Sequence, residues 1–193
     1  MSKDKKDEKN SMGKLEELFL KSRTIMLYGE INQKVAREFC TKLQLLASES
    51  DDDITVYINS PGGHVESGDS IHDMIRFVKP RVKVVGTGWV ASAGALIYAA
   101  PPVENRYSLP NTRYMLHQPS GGVGGQASDI SIEAEQIVKM RERLNQIFAD
   151  QTGQPIKTIA KDTDRNFWMT PEEAKEYGLV GKIIKSKDEL LQS

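Results

Sequence analysis

A single cysteine, Cys40, excludes an internal disulfide, and its side chain reads as a small buried hydrophobe. The three histidines and the carboxylates do not fall at metal-ligand spacing, so neither a metal nor a cofactor is expected. No apolar run reaches the ~18 residues of a membrane span. The longest, around Trp89 to Ala100, is broken by Ser92 and Gly94. The N-terminus has no apolar core of the kind a secretory signal needs. A soluble, cytoplasmic protein is the expectation. Charge of one sign is also lacking. The net charge is −1, with 26 basic and 27 acidic residues, and this offers no electrostatic footprint for nucleic acid. The one charge run, the opening MSKDKKDEKN, mixes both signs and reads as a disordered arm over residues 1–11. The remainder, 12–193, suits a single domain with a sizeable core.

What is present is an alternation of short apolar runs and amphipathic stretches. Leu15, Leu18 and Phe19 mark a short helix, and residues 24–28 a strand that Gly29 breaks. Residues 33–48 predict a helix with Val35, Phe39, Leu43 and Leu46 on one face. A strand over 54–59 stops at Ser60-Pro-Gly-Gly63, and a helix carrying Ile71, Met74, Ile75 and Val78 runs to Pro80. Strands at 82–85, 113–116 and 180–184, a helix at 91–100 and a long helix at about 128–151 complete the pattern. Pro155 opens a further short helix, and Thr170-Pro-Glu-Glu173 is a capping box with proline at N1. Strands alternating with helices at short intervals predict an α/β fold, with a mostly parallel sheet and crossover helices.

Three segments carry chemistry. Ser92, in Gly86-Thr-Gly-Trp-Val-Ala-Ser92-Ala-Gly-Ala95, falls at a strand-to-helix junction, where open α/β sheets place their sites. Its small neighbours leave room for a substrate chain, and the helix N-terminus offers free N–H groups. The same serine also reads as a plain helix cap. Asn59-Ser-Pro-Gly-Gly63 ends another strand, and its glycines can expose N–H groups to an anion or simply form a turn. His117, in Met115-Leu-His-Gln-Pro119, ends a third strand ahead of Gly121-Gly-Val-Gly-Gly125 and reads as either a base or a structural histidine. His64 and His72, at a turn and on a helix face, are read as non-catalytic.

Taken in order, Tyr57-Ile-Asn-Ser-Pro-Gly-Gly63, Ala91-Ser-Ala-Gly-Ala95, Met115-Leu-His-Gln-Pro119, Gly125-Gln-Ala-Ser-Asp129, Asp162-Thr-Asp-Arg-Asn166 and Ala174-Lys-Glu-Tyr-Gly-Leu179 resemble the ClpP family of serine peptidases. The likeness spans nearly the whole chain. It implies the ClpP/crotonase-like fold of stacked, mostly parallel strands, with the long helix as a protruding handle. It implies a serine endopeptidase in which Ser92 attacks and His117 is the base. The N–H groups of Gly63 and Ala93 would form the oxyanion hole, and Gly121, Gly122, Val123, Gly124, Gly125 and Gln126 would pair with extended substrate. It further implies two stacked heptameric rings (a tetradecamer) enclosing a chamber, with Asp164 and Arg165 coupling ring contacts to the site. An ATP-driven AAA+ unfoldase would dock at Tyr57, Phe77 and Tyr107, although Thr55 stands where the family often has an aromatic.

One departure stands out. Asn166 occupies the position where the family usually has the triad aspartate, giving Ser92-His117-Asn166. Asparagine carries no charge, although its carbonyl oxygen can still accept from His117 Nδ1. Asp162 or Asp164 could substitute for the lost charge. The expectation is a subunit that is weakly active alone and is paired with a second paralogue in hetero-oligomeric rings, or else one active in homo-oligomeric rings. Two other readings remain: an enzymatically silent structural subunit, and a crotonase-type acyl-CoA enzyme.

Overall fold

The computed structural model describes residues 13–121 and 124–191. The charged arm of residues 1–11 therefore lies outside the described chain. After a helix over residues 13–21 (α1) come β1 (Thr24–Tyr28), α2 (Gln33–Glu49), β2 (Ile54–Ser60), α3 (Val65–Phe77), β3 (Val82–Ala91) and α4 (Ala93–Tyr98). A 3-10 turn at Val103–Asn105 leads to β4 (Arg106–Ser108) and β5 (Arg113–Leu116). Then follow α5 (Ala127–Thr152), α6 (Ile156–Asp162), β6 (Phe167–Met169), α7 (Pro171–Glu176), β7 (Lys182–Ile183) and α8 (Lys187–Leu191).

Local chemistry explains most of these boundaries. Asn32 caps α2 by accepting from the Val35 N–H, and the helix buries Ala36, Phe39, Leu43 and Leu46. The expected Val35 is only half-buried, against the same core. Strand β2 alternates strictly: Ile54, Val56, Ile58 and Ser60 are buried, and the residues between them are half-buried. Thr170 and Glu173 cap α7 reciprocally, with Pro171 at N1. Cys40 is half-buried rather than fully enclosed.

The sheet runs β1-β2-β3-β4-β7, all parallel, with β5 branching from β3 and β6 added antiparallel to β5. The branch arises within β3. Its first half pairs with β4 (Val84 to Gly86 against Arg106 to Ser108), its second with β5 (Trp89 to Ala91 against Arg113 to Met115). The bend between the halves falls at Gly86 to Gly88. Gly88 has φ +64, and a Cβ there would lie 2.9 Å from the Asn59 side chain. The glycines read as a strand end at Val85. In the fold they let the strand change direction and continue to Ala91, which shifts the start of α4 to Ala93.

Helix α5 is about 39 Å long at 1.5 Å per residue. Only Leu144, Asn145, Phe148 and Ala149, near its C-terminal end, are buried. Ile132 and Val138 are 57% and 47% exposed, and Ile130 and Ala134 are exposed as well. The apolar face expected along the whole helix is thus used only at its root, and the rest projects as a handle. Arg106, 1% exposed, anchors that root. Its guanidinium donates to Pro101 O at 2.7 Å, Gln151 O at 2.8 Å and Gln151 Oε1 at 2.6 Å.

Candidate active site

Ser92 sits between β3 and α4 with φ 56 and ψ −123, a conformation that costs a non-glycine residue energy. Its N–H donates to Met115 O at 2.9 Å, and its carbonyl accepts from the Ala95 and Leu96 N–H groups. It occupies the N-cap position of α4, yet its side chain makes no capping bond. Ser92 Oγ instead lies 2.8 Å from His117 Nε2. The strained turn lifts the hydroxyl off the helix and toward a ring 25 residues away in the chain. The β3–β5 pairing brings that ring alongside, since Ala91 registers with Met115, just ahead of His117.

The glycine turn closes on the same point. A Cβ built at Gly62 would stand 2.5 Å from Ser92 Cβ and 3.0 Å from the Ala93 N. Only glycine allows so close an approach at φ +98. Gly63 bridges to Ile31, and a Cβ there would fall 2.2 Å from Ile31 O. That bridge uses the Ile31 N–H and the His64 N–H, not that of Gly63. Ala93 opens α4, so its N–H has no intrahelical acceptor. Neither N–H donates to another backbone group among the described residues. Two N–H groups near Ser92 thus have no backbone acceptor among the described residues, and donors of that kind are what an oxyanion hole needs.

The position of Asn166 follows from strand register. Tyr114, Met115 and Leu116 face Met169, Trp168 and Phe167 in antiparallel order, and Asn166 and His117 are the next residues on each chain segment, just past the paired stretch. Asn166 is exposed, and among the described residues its side chain makes no hydrogen bond. Asp162 is committed elsewhere, accepting from Tyr177 Oη at 2.9 Å. Asp164 lies beside Gln118, whose Nε2 donates to its carbonyl at 2.8 Å, while the Gln118 N–H donates to Thr163 O. Arg165 is exposed.

Gly122 and Val123 fall outside the described residues. Gly121, Gly124, Gly125 and Gln126 form an exposed approach to α5, with Gln126 at its N-cap. Tyr57 lines a cleft of about 450 Å³ together with Met26, Tyr28 and Leu109. Tyr107 is buried in the small apolar cluster with Val85, Ile184 and Leu190. Phe77, 78% exposed at the end of α3, does not line that cleft. Sequence reasoning missed two features of this region: strand β6, which carries Asn166 to His117, and the pairing of Trp89 with Trp168. Two adjacent aromatics, Phe167-Trp168, were the available signal for β6.

Among the described residues no group of three or more His, Cys, Asp or Glu is arranged to hold a metal, and no helix is long and apolar enough to cross a membrane. Residues 6–187 match the family model for Clp protease. ATP-dependent Clp protease proteolytic subunit 3 of Rhizobium etli is 58% identical, over 98% of this chain and 100% of its own length. Proteolytic subunit 2 of Pseudomonas aeruginosa is 56% identical over 92% of this chain and 88% of its own length. The solved structure of ClpP1 from Listeria monocytogenes superposes with a TM-score of 0.83 at 56% identity, covering 91% of this chain and 99% of that one. An asparagine-to-aspartate mutant of the same protein gives 0.86 with the same identity and coverage. A matching α/β topology, this level of identity and a serine–histidine pair at the sheet branch place the chain in the Clp protease family, as a serine-type peptidase subunit.

Proposed function

We propose that the chain is a serine endopeptidase subunit that cleaves unfolded polypeptide, with Ser92 as nucleophile and His117 as general base. The observation that carries this reading is the 2.8 Å contact between Ser92 Oγ and His117 Nε2 beside two uncommitted backbone N–H groups. Imidazole takes the hydroxyl proton as Oγ adds to the scissile carbonyl, and the Gly63 and Ala93 N–H groups receive the oxyanion. The imidazolium then protonates the leaving amine, and water repeats the sequence on the acyl-enzyme. The Asn166 side chain makes no hydrogen bond among the described residues of the resting structure; turned toward the ring, its carbonyl oxygen would accept from His117 Nδ1 and hold the tautomer, without adding charge to stabilise the imidazolium.

Family membership supports the rest: stacked heptameric rings around a chamber, substrate paired along 121–126, ring contacts read through Asp164 and Arg165, and an ATP-driven unfoldase docked near Tyr57. With an uncharged Asn166, the subunit is weak alone and works beside a paralogue that carries aspartate. A fluorophosphonate probe tests the core of this reading. Ser92 should be labelled in the wild type, and labelling should be lost in Ser92→Ala and strongly slowed in His117→Ala. An unlabelled wild type in assembled form would instead make it a structural subunit. The crotonase-type alternative loses ground to the serine–histidine contact, since those enzymes commonly use carboxylates.

A further inference from the structure

The chain contains two tryptophans, and both stand on one face of the branch sheet. Trp89 on β3 registers with Arg113 on β5, while Trp168 on β6 registers with Met115 two residues further along β5. The indoles are near-parallel, 10° apart in plane with centroids separated by 6.5 Å, toward the far end of the range over which rings interact. The Arg113 guanidinium carbon lies 4.3 Å over the Trp168 ring and holds it in place. Yet Trp89 is 42% exposed and Trp168 37%. Arg113 and Trp168 also wall a cleft of about 350 Å³ that includes Pro110 and Pro171.

This face continues to the reacting atoms. Alternation along β5 puts Arg113 and Met115 on one side, Trp168 opposes Met115 on that side, and His117, the residue after β5, is held 2.8 Å from Ser92 Oγ at the end of β3. Trp89 stands three residues before Ser92, about 10 Å along an extended strand. A substrate chain in extended form spans that distance in about three residues. The exposed indole surface is on the order of 200 Å², far under the roughly 800 Å² per partner of a stable protein interface. It matches one large side chain.

We propose that Trp89 and Trp168 form an aromatic subsite that takes a large apolar side chain of the extended polypeptide, about three residues from the bond cleaved. This rests on the peptidase reading and adds a specificity to it. Because both tryptophans lie in the patch, selectively excited tryptophan emission reports on it without the tyrosines, and binding can be read without turnover. Ser92→Ala protein is titrated with peptides that carry phenylalanine or glycine at each position around the central residue. The phenylalanine peptide with its ring three positions from the centre should shift the emission saturably and bind about tenfold tighter than its glycine counterpart. That preference should vanish in Trp168→Ala and return in Trp168→Phe. Equal binding of the two peptides overturns the subsite, as does emission that follows protein concentration but not peptide, which would assign the patch to contacts between copies. Fluorophosphonate labelling of the wild type separates the two failures. Labelled Ser92 without phenylalanine preference removes only the subsite, whereas unlabelled Ser92 removes the peptidase reading and the subsite with it.

Discussion

Replacing Asn166 with aspartate puts a negative charge opposite His117 without altering the size of the side chain. The β5–β6 pairing ends one residue short of the two positions, so a carboxylate at 166 turned toward the ring can come within about 4 Å of the imidazolium that forms in the transition state. At an effective dielectric of about 20 a unit charge pair at that distance is worth about 4 kcal/mol, or nearly a thousandfold in rate. The position is exposed, so screening reduces the gain, and the loss of about 10⁴ seen when a serine-peptidase triad is changed the other way sets an upper bound. Hydrolysis of a short fluorogenic peptide by the assembled Asn166→Asp protein should therefore rise by about 10²-fold to 10³-fold, mainly in kcat. Asn166→Ala should fall below the wild type, because it removes the amide that can turn to accept from His117 Nδ1 as the imidazolium forms, a bond absent from the resting structure. A wild type as fast as Asn166→Asp, or a gain under about threefold, would refute the electrostatic argument. Asn166 would then not be the group that governs the histidine.

Other substitutions probe the scaffold. Gly62→Ala forces a Cβ to 2.5 Å from Ser92 Cβ at φ +98, so hydrolysis should drop at least a hundredfold and the melting temperature should fall; a folded, fully active variant would refute the close packing of that turn. Arg106→Met leaves the Pro101 and Gln151 carbonyls without their donor and should cost about 3 kcal/mol in denaturant unfolding. Burial also pulls the Arg106 pKa down to about 10, against the opposing pull of Tyr98 and Glu104, so the buried cation relies on those carbonyl acceptors for its hydrogen bonds. His72 is 5% exposed and its Nε2 has no partner among the described residues; burial lowers its pKa from 6.5, against the opposing pull of Asp73 and Asp69. Below pH 6.5 the unfolded chain binds a proton that the folded chain refuses. Stability should therefore be fully present above that pH and decline as pH falls, by up to about 1.4 kcal/mol per unit, until the folded pKa is reached. His72→Leu should flatten the dependence, measured as melting temperature against pH, and an unchanged slope would assign it to other groups.

The residues that announce themselves in the chain are those whose local chemistry is self-contained. Asn32 ahead of α2, the Thr170–Glu173 box and the alternation of Ile54, Val56 and Ile58 each fix an element from within a few residues. So do Ser92 and His117, because glycines and small residues crowd around them at strand ends. Three things were not readable this way. Strand β3 runs through glycines that ordinarily end strands, because its second half finds a new neighbour in β5. Strands β4 and β6 are three residues each, too short to show a period, and exist because β3 and β5 offer them open edges. The apolar face of α5 predicts burial along its length, yet only its root meets a core.

Sequence by itself determined the fold class, the family and the two residues, Ser92 and His117, proposed as nucleophile and base. Those depend on residue type and short-range order, which the chain carries directly. Tertiary structure alone decided that Ser92 leaves its capping role for His117, that β6 pairs with β5 just beside Asn166, and that two distant tryptophans share a face. Each of these is set by strand register and by the bend in β3, quantities that exist only once separate segments pair.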